Sequence, residues 1–182
     1  MAAPQNDNAA AMARLIAFVN SRDIDAGTDE WDSPQSLVSW LAAHDLVAGR
    51  PIADEADLQT ARTVREGLRQ ALLAHDRHAE PPDAEPLPVV SFPLQLRIDA
   101  GGHAVLTSAS DGVDAALATL VAAIPAAQAD GTWSRVKACP ESTCQWAFLD
   151  QSRNRSRRWC SMEVCGNREK SRSFRDRQRA GD

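Results

Sequence analysis

The four cysteines of this 182-residue chain lie close together near its end, as two pairs separated by a loop. The first pair is Cys139 and Cys144, and the second is Cys160 and Cys165. Two thiolate pairs on tight turns, brought together by the segment between them, suit a tetrahedral zinc ion. The chain starts without a signal-peptide pattern, so we expect a reducing cytoplasmic location that favours metal ligation over disulfides. An iron–sulfur cluster is the main alternative, and two disulfides come third.

Four thiolates would fill the coordination shell of zinc and leave no open position for water. The sequence therefore predicts a structural Zn2+ rather than a catalytic one. A module of about 50 residues buries too little surface to fold alone, and a zinc–thiolate site supplies the missing stabilisation. The sequence contains no glycine-rich phosphate loop, nucleophile elbow or His-Glu-x-x-His motif. We therefore expect that the protein is not an enzyme.

The net charge of −5 conceals two parts of opposite sign. Residues 133–182 hold 12 Lys and Arg against 6 Asp and Glu, or +6, whereas residues 1–132 hold 8 against 19, or −11. A basic module on an acidic body indicates binding to a polyanion. The predicted nucleic-acid contacts are Arg153, Arg155, Arg157, Arg158, Arg168, Lys170, Arg172, Arg175 and Arg179. Four of these arginines, at 168, 172, 175 and 179, have the spacing of one helix face.

The basic residues have other possible explanations. A zinc ion held by four thiolates carries a formal charge of −2, which nearby arginines could offset. Glu169 and Asp176 could pair with Arg172 and Arg179 on a solvated helix face. The module could instead dock an acidic protein or the acidic part of this chain, and RNA could replace DNA. The excess of basic charge favours a nucleic acid, with DNA as the leading partner.

Hydrophobic periodicity and capping residues predict four helices in the first part of the chain, over residues 9–22, 33–49, 54–78 and 111–127. Alternating apolar residues around Gly101 and Gly102 predict a β-hairpin. Four prolines between residues 79 and 88 predict a loop. The predicted fold class is therefore α+β and mainly α, with a multihelical N-terminal domain, residues 1–130, that contains one hairpin.

Residues 131–182 are predicted to form a small, treble-clef-like zinc finger with four cysteine ligands. A strand over residues 133–137 leads into the turn of the first cysteine pair, and a second strand follows over residues 146–150. A helix is expected from about Cys165 to Arg179, because this stretch has many helix formers and few breakers. A helix that starts at the last ligand favours a treble clef over a zinc ribbon.

The end of the first helix carries three polar residues that could bind a small-molecule effector. Asn20, Ser21 and Arg22 offer an amide, a hydroxyl and a guanidinium. The alternative is that they cap the helix carbonyls and that Arg22 complements the helix dipole. The longest apolar stretch, residues 115–127, is shorter than the roughly 20 residues that span a bilayer, so we expect no membrane partner. The sequence contains no heptad pattern and leaves the oligomeric state open.

The residues around the cysteines resemble a known family. The pattern Cys139-Pro-x3-Cys144-x-Trp-x-Phe-x-Asp, followed by Ser152-Arg-Asn-Arg-Ser-Arg-Arg-Trp-Cys160 and Cys165-Gly-Asn-Arg, resembles the CGNR zinc finger. Upstream, residues 15–22 and Trp40-Leu41 resemble the start of the ABATE domain that precedes this finger, with Ser21 where threonine is expected. The resemblance implies zinc at the four cysteines. It also suggests DNA binding by a bacterial stress-induced transcription regulator.

Overall fold

A computed structural model describes residues 5–76 and 91–180 and confirms a mainly helical α+β fold with small antiparallel hairpins. The proline-rich loop predicted over residues 79–88 lies outside the described residues. The helices are α1 (Gln5–Asn20), α2 (Pro34–Ala43), α3 (Glu55–Leu73), α4 (Gly112–Ala122), α5 (Ile124–Ala129) and α6 (Asn167–Ala180). The strands are β1 (Arg22–Asp23), β2 (Thr28–Asp29), β3 (Leu94–Ile98), β4 (Ala104–Ser108), β5 (Val136–Ala138) and β6 (Ala147–Leu149).

Local side-chain caps explain where α2 and α3 begin. Ser33 precedes α2, and its hydroxyl accepts from the backbone N–H of Ser36 in a capping box. Asp54 and Asp57 form the same arrangement at the start of α3. Both helices end earlier than their hydrophobic patterns predict, at Ala43 instead of residue 49 and at Leu73 instead of residue 78.

The strands form three separate two-stranded antiparallel sheets, β1–β2, β3–β4 and β5–β6. The predicted hairpin is confirmed as β3–β4, with Leu96 opposite Leu106. At its turn the carboxylate of Asp99 accepts from the backbone N–H groups of Gly101 and His103. The side chains of this hairpin are largely exposed.

The main core lies between the first four helices. The rings of Phe18, Trp31 and Trp40 pack against one another with centroid distances of 4.9–5.8 Å. The helix predicted over residues 111–127 is divided at Ala123 into α4 and α5, because Pro125 in the first turn of α5 has no N–H to continue α4. The stretch Gly112–Ala129 is long and apolar enough to cross a membrane by length and composition alone. About a third of this stretch, including Val113 and Leu117, is buried inside the protein.

The same core continues beyond residue 130. Trp133, Val136, Ala138 and Ala147 are buried in it. Strand β5 packs against α3, and β6 packs against α1. The strand predicted from residue 133 begins only at Val136, because Trp133–Arg135 forms a 3-10 turn. The division of the chain at residue 130 stays a prediction.

Candidate metal centre and basic surface

The sulfur atoms of all four cysteines lie within 4.8 Å of one another. The Sγ of Cys160 is 3.5 Å from that of Cys144 and 3.7 Å from that of Cys165. Zinc bonds to sulfur at about 2.3 Å, so a tetrahedral site places its sulfur atoms about 3.8 Å apart. The cysteines are therefore arranged to bind a metal ion in a closed four-sulfur shell, as the sequence predicts for structural zinc.

The protonation of these thiols also fits a metal site. Burial and the neighbouring thiols raise the pKa of Cys165 to about 12. The same causes raise the pKa of Cys160 above its ordinary value. A bound divalent cation reverses this preference, because a coordinating thiol is deprotonated outright. The cluster therefore has the chemistry of ligands that bind a metal as thiolates and release their protons on binding.

Two local turns position the ligand pairs. After β5, the N–H of Cys144 donates to the carbonyl of Glu141 at 2.8 Å and closes the first turn. Cys160 precedes a π-helical turn, Met162–Gly166, which carries Cys165. This turn leads into α6, so the helix predicted from Cys165 begins at Asn167. A Cβ on Gly166 would lie 2.5 Å from the sulfur of Met162, so that half-exposed side chain would have to move to admit another residue.

A buried ion pair holds the loop between the two ligand pairs. Lys137 donates to the carboxylate of Asp150 at 2.7 Å and to the carbonyls of Arg155 and Arg157 at 2.8 and 3.0 Å. The side chains of Lys137 and Asp150 are both buried. Burial alone would raise the pKa of Asp150, but hydrogen bonds from Lys137 and Ser152 outweigh it and lower the pKa to about 2. The pair fixes the path of the chain towards Cys160.

This pair predicts a specific acid sensitivity. The pKa of Asp150 falls from 3.8 to about 2 on folding, so its stabilisation is complete above pH 3.8 and is lost as the pH falls towards 2. We expect that loss to be about 2 kcal/mol in the free energy of unfolding. Denaturant titrations from neutral pH to pH 2 measure it as the difference between the parent protein and Asp150→Asn, because acid releases the metal from the thiolates of both. Asp150→Asn should reduce the fall in the free energy of unfolding between pH 3.8 and pH 2, which is the acid limb of the stability curve. Asp114→Asn, at an exposed position, should not. Equal acid limbs in Asp150→Asn and the parent protein would contradict the assignment.

Three of the predicted basic contacts are paired with carboxylates. Arg168 forms a bidentate pair with Asp25, with two distances of 3.0 Å. Arg158 donates to Asp76 at 3.0 Å. These two pairs join the cysteine-bearing region to the first part of the chain.

The third paired arginine binds within the cysteine-bearing region. Arg172 donates to the buried carboxylate of Glu141 at 2.6 and 2.8 Å and also contacts Glu169. Since Glu141 lies in the turn of the first cysteine pair, this contact fixes α6 against the metal centre. In the loop after β6, Arg157 donates to the carbonyls of Trp159 and Cys160.

The other predicted contacts are less engaged. Arg155 donates to the hydroxyl of Ser134 at 3.3 Å. Four exposed cations have no ion pair or hydrogen bond to their side chains in the described part of the chain: Arg153, Lys170, Arg175 and Arg179. Arg177, on the same helix, is also exposed and has no such partner among residues 5–76 and 91–180. The structure therefore leaves the last three turns of α6 as an exposed basic segment.

The three residues predicted to bind an effector separate into two groups. The Asn20 side chain donates to the carbonyl of Ala147 at 2.9 Å and accepts from its N–H at 2.7 Å, as a strand partner would. Ser21 is buried, and its hydroxyl donates to the carbonyl of Phe18. Arg22 is half-exposed, lies 3.4 Å from Glu66, and lines a surface groove of about 710 Å³. Effector binding by these residues stays a prediction.

Two buried arginines of α3 were not among the residues that the sequence singled out. Arg65 forms a bidentate pair with Asp29 at 2.6 and 2.8 Å. Arg69 donates to the carbonyl of Val19 at 2.6 Å and to that of Gln145, beside the metal ligand Cys144, at 3.0 Å. Their signal was present: both arginines occupy the inward-facing stripe of α3, between buried leucines and valine.

The fold and the four-cysteine centre define a zinc-finger protein with a helical N-terminal part. A family model of the ABATE domain, described as “Putative stress-induced transcription regulator”, matches residues 13–144. A model of the CGNR zinc finger matches residues 135–178. Because the ABATE match covers more than half of the chain, the protein belongs to the ABATE family, and it carries a CGNR zinc finger. A search of curated proteins finds no match. Both family matches point to a regulator rather than an enzyme.

Proposed function

We propose that this protein is a cytoplasmic transcription regulator that binds DNA through the basic segment of α6. In this proposal the finger is a treble clef whose zinc holds the turn of Cys139, the β5–β6 hairpin and α6 in fixed relation. The N-terminal domain senses an effector or contacts a partner protein. Catalysis has no role, because a shell of four thiolates leaves the zinc no open position.

The observation that carries this proposal is the exposure of α6 beyond its first turn. Lys170, Arg175, Arg177 and Arg179 are exposed and lack ion-pair partners among the described residues, and the only acid between them is Asp176. An α-helix fits into the major groove of B-DNA. Guanidinium groups remain charged and offer forked donors to phosphate. The basic segment therefore has both the shape and the chemistry of a phosphate-binding helix.

Contacts at the start of α6 fix the orientation of this helix. Arg168 is held by Asp25 of the N-terminal part, and Arg172 is held by Glu141 of the first cysteine turn. Both arginines were predicted to contact nucleic acid, and that contact stays a prediction. In the proposal their pairs with carboxylates also support the position of the helix. In the proposal they set the angle at which the free arginines meet DNA.

Binding to duplex DNA tests the proposal. Fluorescence anisotropy at several salt concentrations should give a dissociation constant that rises steeply with salt. The double substitution Arg175→Ala with Arg179→Ala should weaken binding about 10-fold or more and reduce the salt slope by about 2. Arg14→Ala with Arg50→Ala removes two positive charges far along the sequence from α6 and should change little.

The outcomes separate the alternatives. Absence of binding at low salt would contradict the proposal. Equal losses of affinity in both double variants would show that α6 does not provide the DNA contact. If a structured RNA with the same charge as the duplex displaces DNA from the protein, RNA rather than DNA is the partner. Arg172→Ala is a poor probe, because it would leave the buried carboxylate of Glu141 without its partner beside the metal centre.

A further inference from the structure

The β3 edge of the β3–β4 hairpin has no neighbouring strand among the described residues. The backbone hydrogen bonds Ala109 N–H to Pro93 C=O and Asp99 N–H to His103 C=O, both 2.9 Å, mark the hydrogen-bonded pairs of this ladder. Antiparallel ladders alternate such pairs with non-hydrogen-bonded ones. The N–H and C=O groups of Leu94, Leu96 and Ile98 therefore point away from β4. They have no backbone partner among the described residues, since the sheet has two strands there.

The side chains of this edge strand are apolar and exposed. Leu94, Leu96 and Ile98 share one face, with 39%, 67% and 66% of their surface exposed. Natural sheets protect such edges with charges, prolines or bulges. Strand β3 pairs with β4 without a bulge, and its only charge, Arg97, lies on the opposite face. Since no strand among residues 5–76 and 91–180 pairs with this edge, it can accept another strand.

The pattern of β3 is complementary to itself. A two-fold axis at Leu96 places Leu94 opposite Ile98 of a second copy and Leu96 opposite its own counterpart. Each outward-pointing residue then meets another outward-pointing residue, so all three pairs can exchange two hydrogen bonds. The same register places Arg97 opposite Gln95 of the second copy, so that no like charges face each other. An axis at Arg97 would bring two arginines together and leave Leu94 without a partner.

We propose that β3 is a homodimer interface, in which two copies of this chain join their hairpins into one four-stranded antiparallel sheet. A closed two-fold contact of this kind uses the same patch on both copies. Main-chain hydrogen bonds hold the strands together, and the flanks of Leu94, Leu96 and Ile98 cover one another across the pair. The inference does not depend on DNA binding, although a dimer would present two fingers to a palindromic site.

The mass of the full-length, zinc-loaded protein in solution tests the interface. A single strand pair is smaller than a standard interface of about 800 Å² per partner, so dimerisation should depend on concentration. Sedimentation equilibrium over about 1 to 300 µM should show a shift from 19.7 kDa towards twice that mass. Leu96→Glu should keep the protein monomeric. Leu106→Glu changes the same apolar face on β4, away from the β3 edge, and should still dimerise. If Leu106→Glu also stays monomeric, the two copies pack through their apolar faces, and pairing of the β3 edges is overturned.

Single cysteines test the register. With the axis at Leu96, the two Cα atoms at this position lie about 5.5 Å apart, which a disulfide can bridge. Leu96→Cys should therefore form a covalent dimer on mild oxidation, beyond any seen with the parent protein. The two copies of Leu94→Cys place their cysteines about 13 Å apart and should not link, whereas a mixture of Leu94→Cys and Ile98→Cys should. A monomeric parent protein at all concentrations, or equal linking of Leu94→Cys and Leu96→Cys, would overturn the proposal.

Discussion

Removal of zinc is expected to destabilise the whole described fold and not only the region around the cysteines. Cys160→Ser deletes one ligand, and a strong chelator removes the metal itself. Zinc binding contributes about 10–16 kcal/mol in zinc-finger peptides, which is comparable to the 5–15 kcal/mol that stabilises an entire domain. Either change should therefore lower the melting temperature of the helical part as well.

The contacts between the β5–β6 hairpin and the helices explain why zinc loss should also destabilise the helical part. Asn20 pairs with the backbone of Ala147 in β6, and the ring Nδ1 of His75 lies 2.7 Å from the carbonyl of Val136 in β5. The buried Trp133 packs its ring edge against His75, with ring centroids 5.1 Å apart. If β5 and β6 lose their order, these groups lose buried partners at the ends of α1 and α3. Asn20 and His75 are half-buried, so each lost hydrogen bond costs about 0.5–1.5 kcal/mol.

Thermal unfolding followed by far-UV circular dichroism measures this coupling. Parent protein, chelated protein and Cys160→Ser should be compared, with bound zinc quantified in each. Ser171→Ala, an exposed change on α6, is the matched control and should keep both zinc and melting temperature. A helical transition that stays at the parent temperature after zinc loss would show that the N-terminal helices fold independently of the metal.

The cysteine centre and the order of the main elements could be predicted because their signals are local. The spacing of four cysteines contains the ligand set, and Ser33, Asp54 and the Gly101-Gly102 turn mark boundaries within a few residues of sequence. The predicted zinc ligands accordingly meet in space, and the hairpin forms where expected. The division of one predicted helix at Ala123 was missed because Pro125 in a first turn fits either a continuous, kinked helix or a new one.

The partners of the arginines could not be predicted, because they depend on contacts distant in sequence. Arg168 and Asp25 are separated by 143 positions. Helical spacing correctly places four arginines of α6 on one face, but it does not distinguish those that bind carboxylates from those that face solvent. Only the folded arrangement shows that Arg168 and Arg172 are paired whereas Arg175 and Arg179 are not, within the described part of the chain.

Substitution of Arg69 is expected to be the most damaging single change outside the cysteines. Its guanidinium is fully buried and donates to the carbonyls of Val19 and Gln145 and to the carboxylate of Glu66. Arg69→Met keeps the bulk of the side chain but leaves the carbonyls of Val19 and Gln145 without this donor, whereas Glu66 keeps its contact with Arg65. Breaking a buried charged network of this kind costs about 3–5 kcal/mol. We therefore expect a loss of this size in the free energy of unfolding.

The location of the Arg69 contacts gives the prediction a second readout. The carbonyl of Gln145 follows the ligand Cys144 directly, and Gln145 has a left-handed backbone with φ of 50°. Arg69 holds that conformation from α3, so its loss should also speed the release of zinc to a chromogenic chelator. Arg69→Lys retains the charge without the forked donors and should fall between Arg69→Met and the parent protein.

Arg50→Met is the matched control, because Arg50 is exposed and has no hydrogen-bond partner among the described residues. It should change neither the denaturation midpoint nor the rate of zinc release. If Arg69→Met lowers stability but releases zinc at the parent rate, the clamp on Gln145 has no part in holding the metal turn. If it changes neither quantity, the buried network does not join the helices to the zinc finger. Only a combined loss supports a single cooperative body in which α3 positions the metal centre.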